Sequence, residues 1–378
     1  MTDTPNRALR PAGLRDILPP DAEHEADVVG RVMAHFAQHG YQRVKPPLIE
    51  FEDTLLDGAG AATAGQAFRV MDPLSQRMMG VRADITPQVA RMAVARLAGA
   101  ARPLRLSYAG EVLRVKGTQL HPERQFRQAG LELIGSDAVA ADAEVLALAV
   151  GALAAVGVPG ISADLSLPTL VPALFAELGI ADSLADGLRK ALDQKDAAVV
   201  AQTGGAAAPL LGALLGAVGP VERGLAALAA LALPPAAARE RDRLVAVVAR
   251  LGAAAPGLAL TLDPVENRGF EYQTGVAFTL FSHAFGGELG RGGRYLAGGG
   301  EPATGATLFL DGVLAVVPPR IPPRRVFVPA GTAPAQAEKL RVEGWVTVAG
   351  LDPAADPANE AKRMGCGHLL AAGGVRAV

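Results

Sequence analysis

Cysteine is almost missing from this 378-residue chain. Cys366 stands alone, which excludes an internal disulfide and any metal site built from several thiolates. Neither sign of charge dominates, because 36 Lys and Arg face 38 Asp and Glu for a net charge of -2. No global positive field therefore draws the chain onto nucleic acid or an anionic membrane, and neither partner is expected. The opening MTDTPNRALRPAGLRD lacks the apolar run of a signal peptide, which leads to the expectation of a cytoplasmic protein. One uncharged stretch, Thr203 to Val221, approaches a bilayer-spanning length, but Pro209 and Gly219-Pro220 interrupt it and it reads as a short buried helix. The GxxxxGK[ST] phosphate cradle, HExxH and the GxSxG elbow are all absent. His35 and His39 have metal-ligand spacing without an obvious third ligand, so they read as a solvated helix face and no metal is expected.

At this length the chain should hold one large domain and one or two lesser pieces. DAEHEADVVGRVMAHFAQHG puts Val28, Val32, Met33 and Phe36 on one helical face, and YQRVKPPLIEFEDTLL after it reads as extended. QAFRVMDPLSQRMMGV predicts two strands around a turn at Asp72-Pro73. A helix should start at Thr86-Pro87 with threonine as N-cap, which leaves Arg82, Asp84 and Thr86 in a strand-to-helix loop. PLRLSYAGEVLRV and RQFRQAGLELIGSD predict an antiparallel hairpin, and the strand period of two puts Gln128, Gly130 and Glu132 on one face.

From 168 to 258 alanine, leucine and glycine dominate with a helical period, the mark of a helical insertion. The β pattern then resumes through ENRGFEYQTGVAF, GGELGRGGRYLAGGG and ATGATLFLDGVLAVV. PPRIPPRR is a stiff linker into a small β/α appendix. The expected organisation is an α+β core over 1–318 carrying the insertion, and a short C-terminal β/α domain over 319–378.

Arg82, Arg114, Arg124, Arg268 and Arg294 each lie in or beside a β segment. A buried arginine needs an anionic partner, so several converging on one sheet face would point to a carboxylate or phosphate ligand. The glycines of GRGGRYLAGGG suit tight turns and close backbone approach better than a nucleotide loop.

The order HGYQRVKPPLIE, VRADITPQVAR, YAGEVLRV…RQFRQAGLELIG, NRGFEYQTG, GGRY and ATGATLFLD resembles the catalytic core of the histidyl-tRNA synthetases over roughly residues 10 to 318. These are class II synthetases, and the resemblance implies their antiparallel sheet flanked by helices. It also implies that RGFEYQTG corresponds to the histidine-specific segment RGLDYY. Asp84 and Thr86 then stand where the family holds the α-amino group, with Asp84 in place of a glutamate. Gln128 and Glu132 fall on contacts to the amino group and imidazole, Arg268 on the carboxylate-binding arginine, Tyr272 on the first tyrosine and Tyr295 on that of GGRY. Gln273 replaces the second tyrosine. With the retained motif 2 arginine, Arg114, the implied histidine site is Asp84, Thr86, Arg114, Gln128, Glu132, Arg268, Tyr272 and Tyr295.

Departures from the family bear on function. Motif 2 reads Arg114-Val115-Lys116, a base where the family has an acid, and Gly312 stands where motif 3 carries its γ-phosphate arginine. Losing a bidentate arginine–phosphate contact costs roughly 1.5–3 kcal/mol of binding, and losing a group that stabilises transition-state charge costs on the order of 10² to 10³ in rate. The appendix is shorter than an anticodon-binding domain and not conspicuously basic. This combination is similar to the regulatory subunits of ATP phosphoribosyltransferase. That resemblance implies no catalytic residues and no cofactor of the chain's own, a short catalytic subunit as partner, free histidine as effector, and homodimers inside a hetero-oligomer. The alternative is a divergent synthetase-like enzyme that activates histidine with ATP.

Overall fold

The structure, a computed structural model, describes residues 9–56, 58–117, 122–267 and 272–378. The chain divides into two compact units, Met1–Pro318 and Pro319–Val378.

A nine-stranded sheet organises the first unit. Its strands are β1 (Gln42–Arg43), β2 (Leu104–Leu113), β3 (Gln125–Ile134), β4 (Ile161–Ser166), β5 (Gly219–Pro220), β6 (Ala259–Asp263), β7 (Gln273–Ser282), β8 (Gly290–Ala297) and β9 (Glu301–Phe309). They lie in the order β1-β2-β3-β9-β8-β7-β4-β6-β5. The run from β2 to β4 is antiparallel throughout, as the hairpin signals predict. The sheet is nonetheless mixed, since β1 joins β2, and β6 joins β4, in parallel.

The alternation of strand side chains assigns each face. Ala129, Leu131 and Leu133 of β3, with Ala306 and Leu308 of β9, enter the larger core beneath helices α1 (Asp21–Gln38) and α3 (Val139–Val156). The intervening residues face the other way. There Tyr108, Tyr295, Ala303 and Phe309 pack with Val89, Ala90 and Ala93 of helix α2 (Thr86–Ala95).

Helix α2 begins one residue earlier than the threonine cap predicts, with Ile85 at the N-cap position. Thr86 points its hydroxyl towards Tyr108 and Thr307 instead of capping. The turn at Asp72 forms as expected, its carboxylate accepting from Leu74 N, Ser75 N and Ser75 Oγ. It joins Phe68–Met71 to Met78–Val81 in a separate three-stranded sheet with Ile49–Phe51.

Six α-helices lie between Leu170 and Ala254, where the alanine-rich texture predicts an insertion. The segment 203–221 contains the buried-face helix Ala208–Leu215. The one helix among the described residues long and apolar enough to cross a membrane is instead α3, 56% buried within the fold as a core helix. His35 is packed where Gly151 of α3 has no side chain, so it is less solvated than its helix face suggests. No group of three or more metal-ligating side chains occurs among the described residues.

The second unit is a four-stranded sheet, Val346–Ala349, Arg325–Val328, His368–Ala371 and Gly374–Ala377 in spatial order, with helices Pro334–Val342 and Pro357–Arg363. Cys366 is buried in its core beside Phe327 and Leu369.

Candidate functional site

On the α2 face, where β7, β8, β9 and β3 run side by side, a cavity of about 300 Å³ counting its mouth opens. Asp84, Thr86, Glu132, Tyr272, Gln273, Arg291, Tyr295 and Thr307 line it, with the glycine backbones of β8 and β9 as its floor.

Glu132 is the deepest charge-bearing group, with no exposed surface. Tyr295 donates its phenolic proton to Oε2 at 2.9 Å and Tyr108 reaches Oε1 at 3.2 Å. Gly305 sits opposite Glu132 in the β3–β9 register, and a methyl group there would land on the carboxylate. Glycine at that position is therefore a requirement of the site. Burial pushes the Glu132 pKa up to about 8, against the opposing pull of the phenols. The two phenols are in turn held well above their usual range by the same burial.

Asp84 is fixed from two sides. Its Oδ1 accepts from Thr86 N at 2.8 Å and its Oδ2 from Gln128 Nε2 at 3.1 Å. Gln128, itself fully buried, accepts from Ile85 N at 3.2 Å and so locks the loop that carries Asp84. It stands behind the carboxylate and is not a wall of the cavity. Thr86, Tyr108 and Thr307 form a hydroxyl cluster with separations of 2.8–3.3 Å. The Tyr272 ring meets Tyr295 edge to face, with centroids 6.4 Å apart.

The arginines separate by face. Arg294 turns to the α3 side and pairs with Asp142, Nη2 to Oδ1 at 2.7 Å, with both side chains 4% exposed. Arg82 donates to the Glu111 carbonyl at 2.7 Å and the Pro46 carbonyl at 3.1 Å, tying loops together. Arg124 donates to the carbonyls of Arg114 and Ala12. These three do not converge on the cavity. Arg114 lies over the Phe126 ring at 4.8 Å, outside the lining, although it is close enough to Asp84 to feel its charge. Arg268 and Glu271 fall outside the described residues.

The arginine that does line the cavity is Arg291, which pairs with Glu288. The residue reading missed it. Its signal is available in GRGGRY, because Arg291 is four residues from Tyr295 and shares its strand face, whereas Arg294, one residue away, cannot. Two acids, neutral phenols and a guanidinium around a small space suit a zwitterion whose side chain carries an N–H group.

Gly312, the third residue of the helix Leu310–Val316, is buried. A Cβ there would meet Phe285 Cε1 at 2.9 Å and Leu289 Cδ2 at 3.3 Å. The space an arginine stem would need is filled by side chains from the β7–β8 connection. Gly312→Arg is expected to destabilise the protein by about 1–3 kcal/mol through overpacking. Urea denaturation checks this, with an unchanged midpoint as the contrary result.

The raised Glu132 pKa carries a stability consequence. In the folded chain this carboxyl binds its proton up to about pH 8, whereas an unfolded glutamate releases it near the ordinary value of 4.5. The native state then holds more protons in that window, so stability falls as pH rises from about 4.5 to 8. Glu132→Gln should flatten the slope. Thermal midpoints measured from pH 5 to 9 test this, and equal slopes for the two proteins would contradict it.

A family model for histidyl-tRNA synthetase matches residues 13–313. An ATP phosphoribosyltransferase regulatory subunit of Paramagnetospirillum magneticum is 67% identical over 99% of both chains. Another, of Rhodospirillum centenum, is 58% identical over 100% of this chain and 99% of its own. In fold, the chain is similar to the solved structure of an ATP phosphoribosyltransferase regulatory subunit/histidyl-tRNA synthetase from Bacillus halodurans, with a TM-score of 0.82 at 23% identity over 95% of this chain and 97% of that one. The chain thus belongs to the ATP phosphoribosyltransferase regulatory subunits, built on the class II histidyl-tRNA synthetase fold.

Proposed function

We propose that this chain is the non-catalytic half of an ATP phosphoribosyltransferase, working in the cytoplasm with a short catalytic subunit at the first step of histidine biosynthesis, and that free histidine bound in the β3–β7–β8–β9 cavity conveys feedback. The observation that carries the reading is a contrast. The cavity keeps its acids, phenols and guanidinium, while the place of the phosphate-binding arginine is packed with Phe285 and Leu289 beside Gly312.

In this reading Asp84, with Gln128 behind it and Thr86 beside it, receives the α-ammonium group, and Glu132 with Tyr272 and Tyr295 receives the imidazole. Arg291 serves the carboxylate, together with Arg268. Arg114 acts on the ligand through its field at Asp84. Homodimers within a hetero-oligomer carry the response. Histidine shifts activity only by its differential affinity for the two arrangements of the assembly, so a tenfold preference moves the equilibrium by about 1.4 kcal/mol.

Reconstitution with a short catalytic subunit tests the proposal. Addition of the chain should raise turnover, and histidine should lower it again in the wild type but not with Glu132→Ala. If the chain neither binds that subunit nor changes its rate, regulation is the wrong role. Histidine-dependent ATP–pyrophosphate exchange by the chain alone would favour the divergent enzyme.

A further inference from the structure

Polar atoms around the cavity are nearly all engaged within the protein. Glu132 takes two phenols, Asp84 takes a backbone and a side-chain N–H, and the three hydroxyls of Thr86, Tyr108 and Thr307 satisfy one another. Gln273 is the exception. Its Oε1 is the one buried side-chain oxygen among the described lining residues that has no hydrogen-bond partner, and the residue is 6% exposed. An unpaired buried acceptor is costly, and this one belongs to a residue on the cavity wall, where a bound donor would satisfy it.

Backbone register explains its aim. Gln273 pairs with Tyr295 across β7 and β8, which puts both side chains on the cavity face, and an irregularity before Ala277 separates this pair from the rest of the ladder. The Gln273 amide also acts on the adjacent Tyr272 phenol in the sense of a donor, favouring its ionised form against the larger effect of burial. The carbonyl is left without a partner in a residue that lines the cavity with Tyr272, Tyr295 and Glu132. A flat ring lying there presents its edge to an acceptor on either side.

We propose that Gln273 is a specificity-determining residue of this site, whose carbonyl accepts a hydrogen bond from a ring N–H of the bound amino acid. The inference rests on the reading of the cavity as a histidine site and adds the group that distinguishes an N–H-bearing ring from an isosteric ring without one. Glu132 and Gln273 together offer acceptors to both nitrogens of an imidazolium, or to the single N–H of a neutral imidazole. A ring lacking N–H leaves the Gln273 carbonyl unpaired in the complex.

Calorimetry on the full chain with histidine and with β-(2-thienyl)alanine, a ring of similar size without N–H, tests this. The wild type should prefer histidine by about 100-fold or more, from two unsatisfied acceptors. Gln273→Met, close in volume but without the carbonyl, should reduce that preference about tenfold, whereas Gln273→Glu, which keeps an acceptor, should retain it. An unaltered preference in Gln273→Met overturns the inference and leaves the histidine site standing. Should Gln273→Met not fold, the wild type still decides, because equal affinity for the two amino acids overturns the inference. A wild type that binds neither at millimolar concentration overturns the inference and the histidine site together.

Discussion

Asp142→Ala is expected to lower the stability of the chain by about 3–5 kcal/mol, among the largest effects available to a single substitution. Asp142 is 4% exposed on α3 and lies between two arginines. Arg294 of β8 reaches it with Nη2 at 2.7 Å and Nε at 3.0 Å, and Arg243 of the helix Pro235–Ala254 with Nη2 at 2.8 Å and Nε at 3.0 Å. Removing the carboxylate leaves Arg294, a residue only 3% exposed, with the carbonyls of Ser136 and Ala138 and the solvent-exposed Asp137 carboxylate at 3.3 Å as acceptors. It also removes the buried half of the ionic tie between the helical insertion and the sheet, leaving the exposed bridge through Asp137. Replacing both partners with apolar groups, Asp142→Leu with Arg294→Met, should restore much of the loss, because no buried charge is then orphaned. Urea denaturation followed by circular dichroism distinguishes these outcomes, and a loss below about 1 kcal/mol in Asp142→Ala would refute the account. The double variant should keep histidine affinity within about threefold, since Arg294 lies on the sheet face away from the cavity.

The second large effect concerns the cavity floor. Gly305→Ala adds one methyl group where the Glu132 carboxylate now lies. Either Glu132 rotates away from Tyr295 and Tyr108, or β9 moves off β3. Histidine affinity should fall on the order of 100-fold or more, about 2.7 kcal/mol, with a further overpacking cost of about 1–3 kcal/mol in stability. The adjacent residue provides the control. Thr304 faces the other core and its buried Oγ1 has no partner, so Thr304→Val removes an unsatisfied hydroxyl without changing shape. It should stabilise the protein by up to about 1–2 kcal/mol and leave histidine affinity unchanged within about twofold. Equal loss of affinity in both variants would mean that β9 acts through general strain and not through the Glu132 contact.

These variants show where a linear reading reaches its limit. The strand period alone put Gln128 and Glu132 on one face, and the structure has both pointing to the α2 side. The same rule separates Arg294 from Tyr295, yet grouping arginines by residue type put Arg294 with the ligand groups. Arg291 escaped notice although it shares the strand parity of Tyr295, because parity alone does not say which residues of a strand face border a cavity. Whether Gln128 touches a ligand or braces Asp84 is likewise beyond periodicity, because it depends on a loop 44 residues away in the chain.

The sequence by itself determined the elements and their faces, since hydrophobic period, proline and glycine act over a few residues. It also determined the lineage, through six ordered segments whose spacing survives in this chain. Only the tertiary structure decided which charges neutralise each other, which hydroxyls share protons across separations as long as the 221 residues from Thr86 to Thr307, and what fills the space beside Gly312. The physical reason is range: helix and strand preferences are local, whereas burial and electrostatic pairing depend on groups that the sheet order alone brings together.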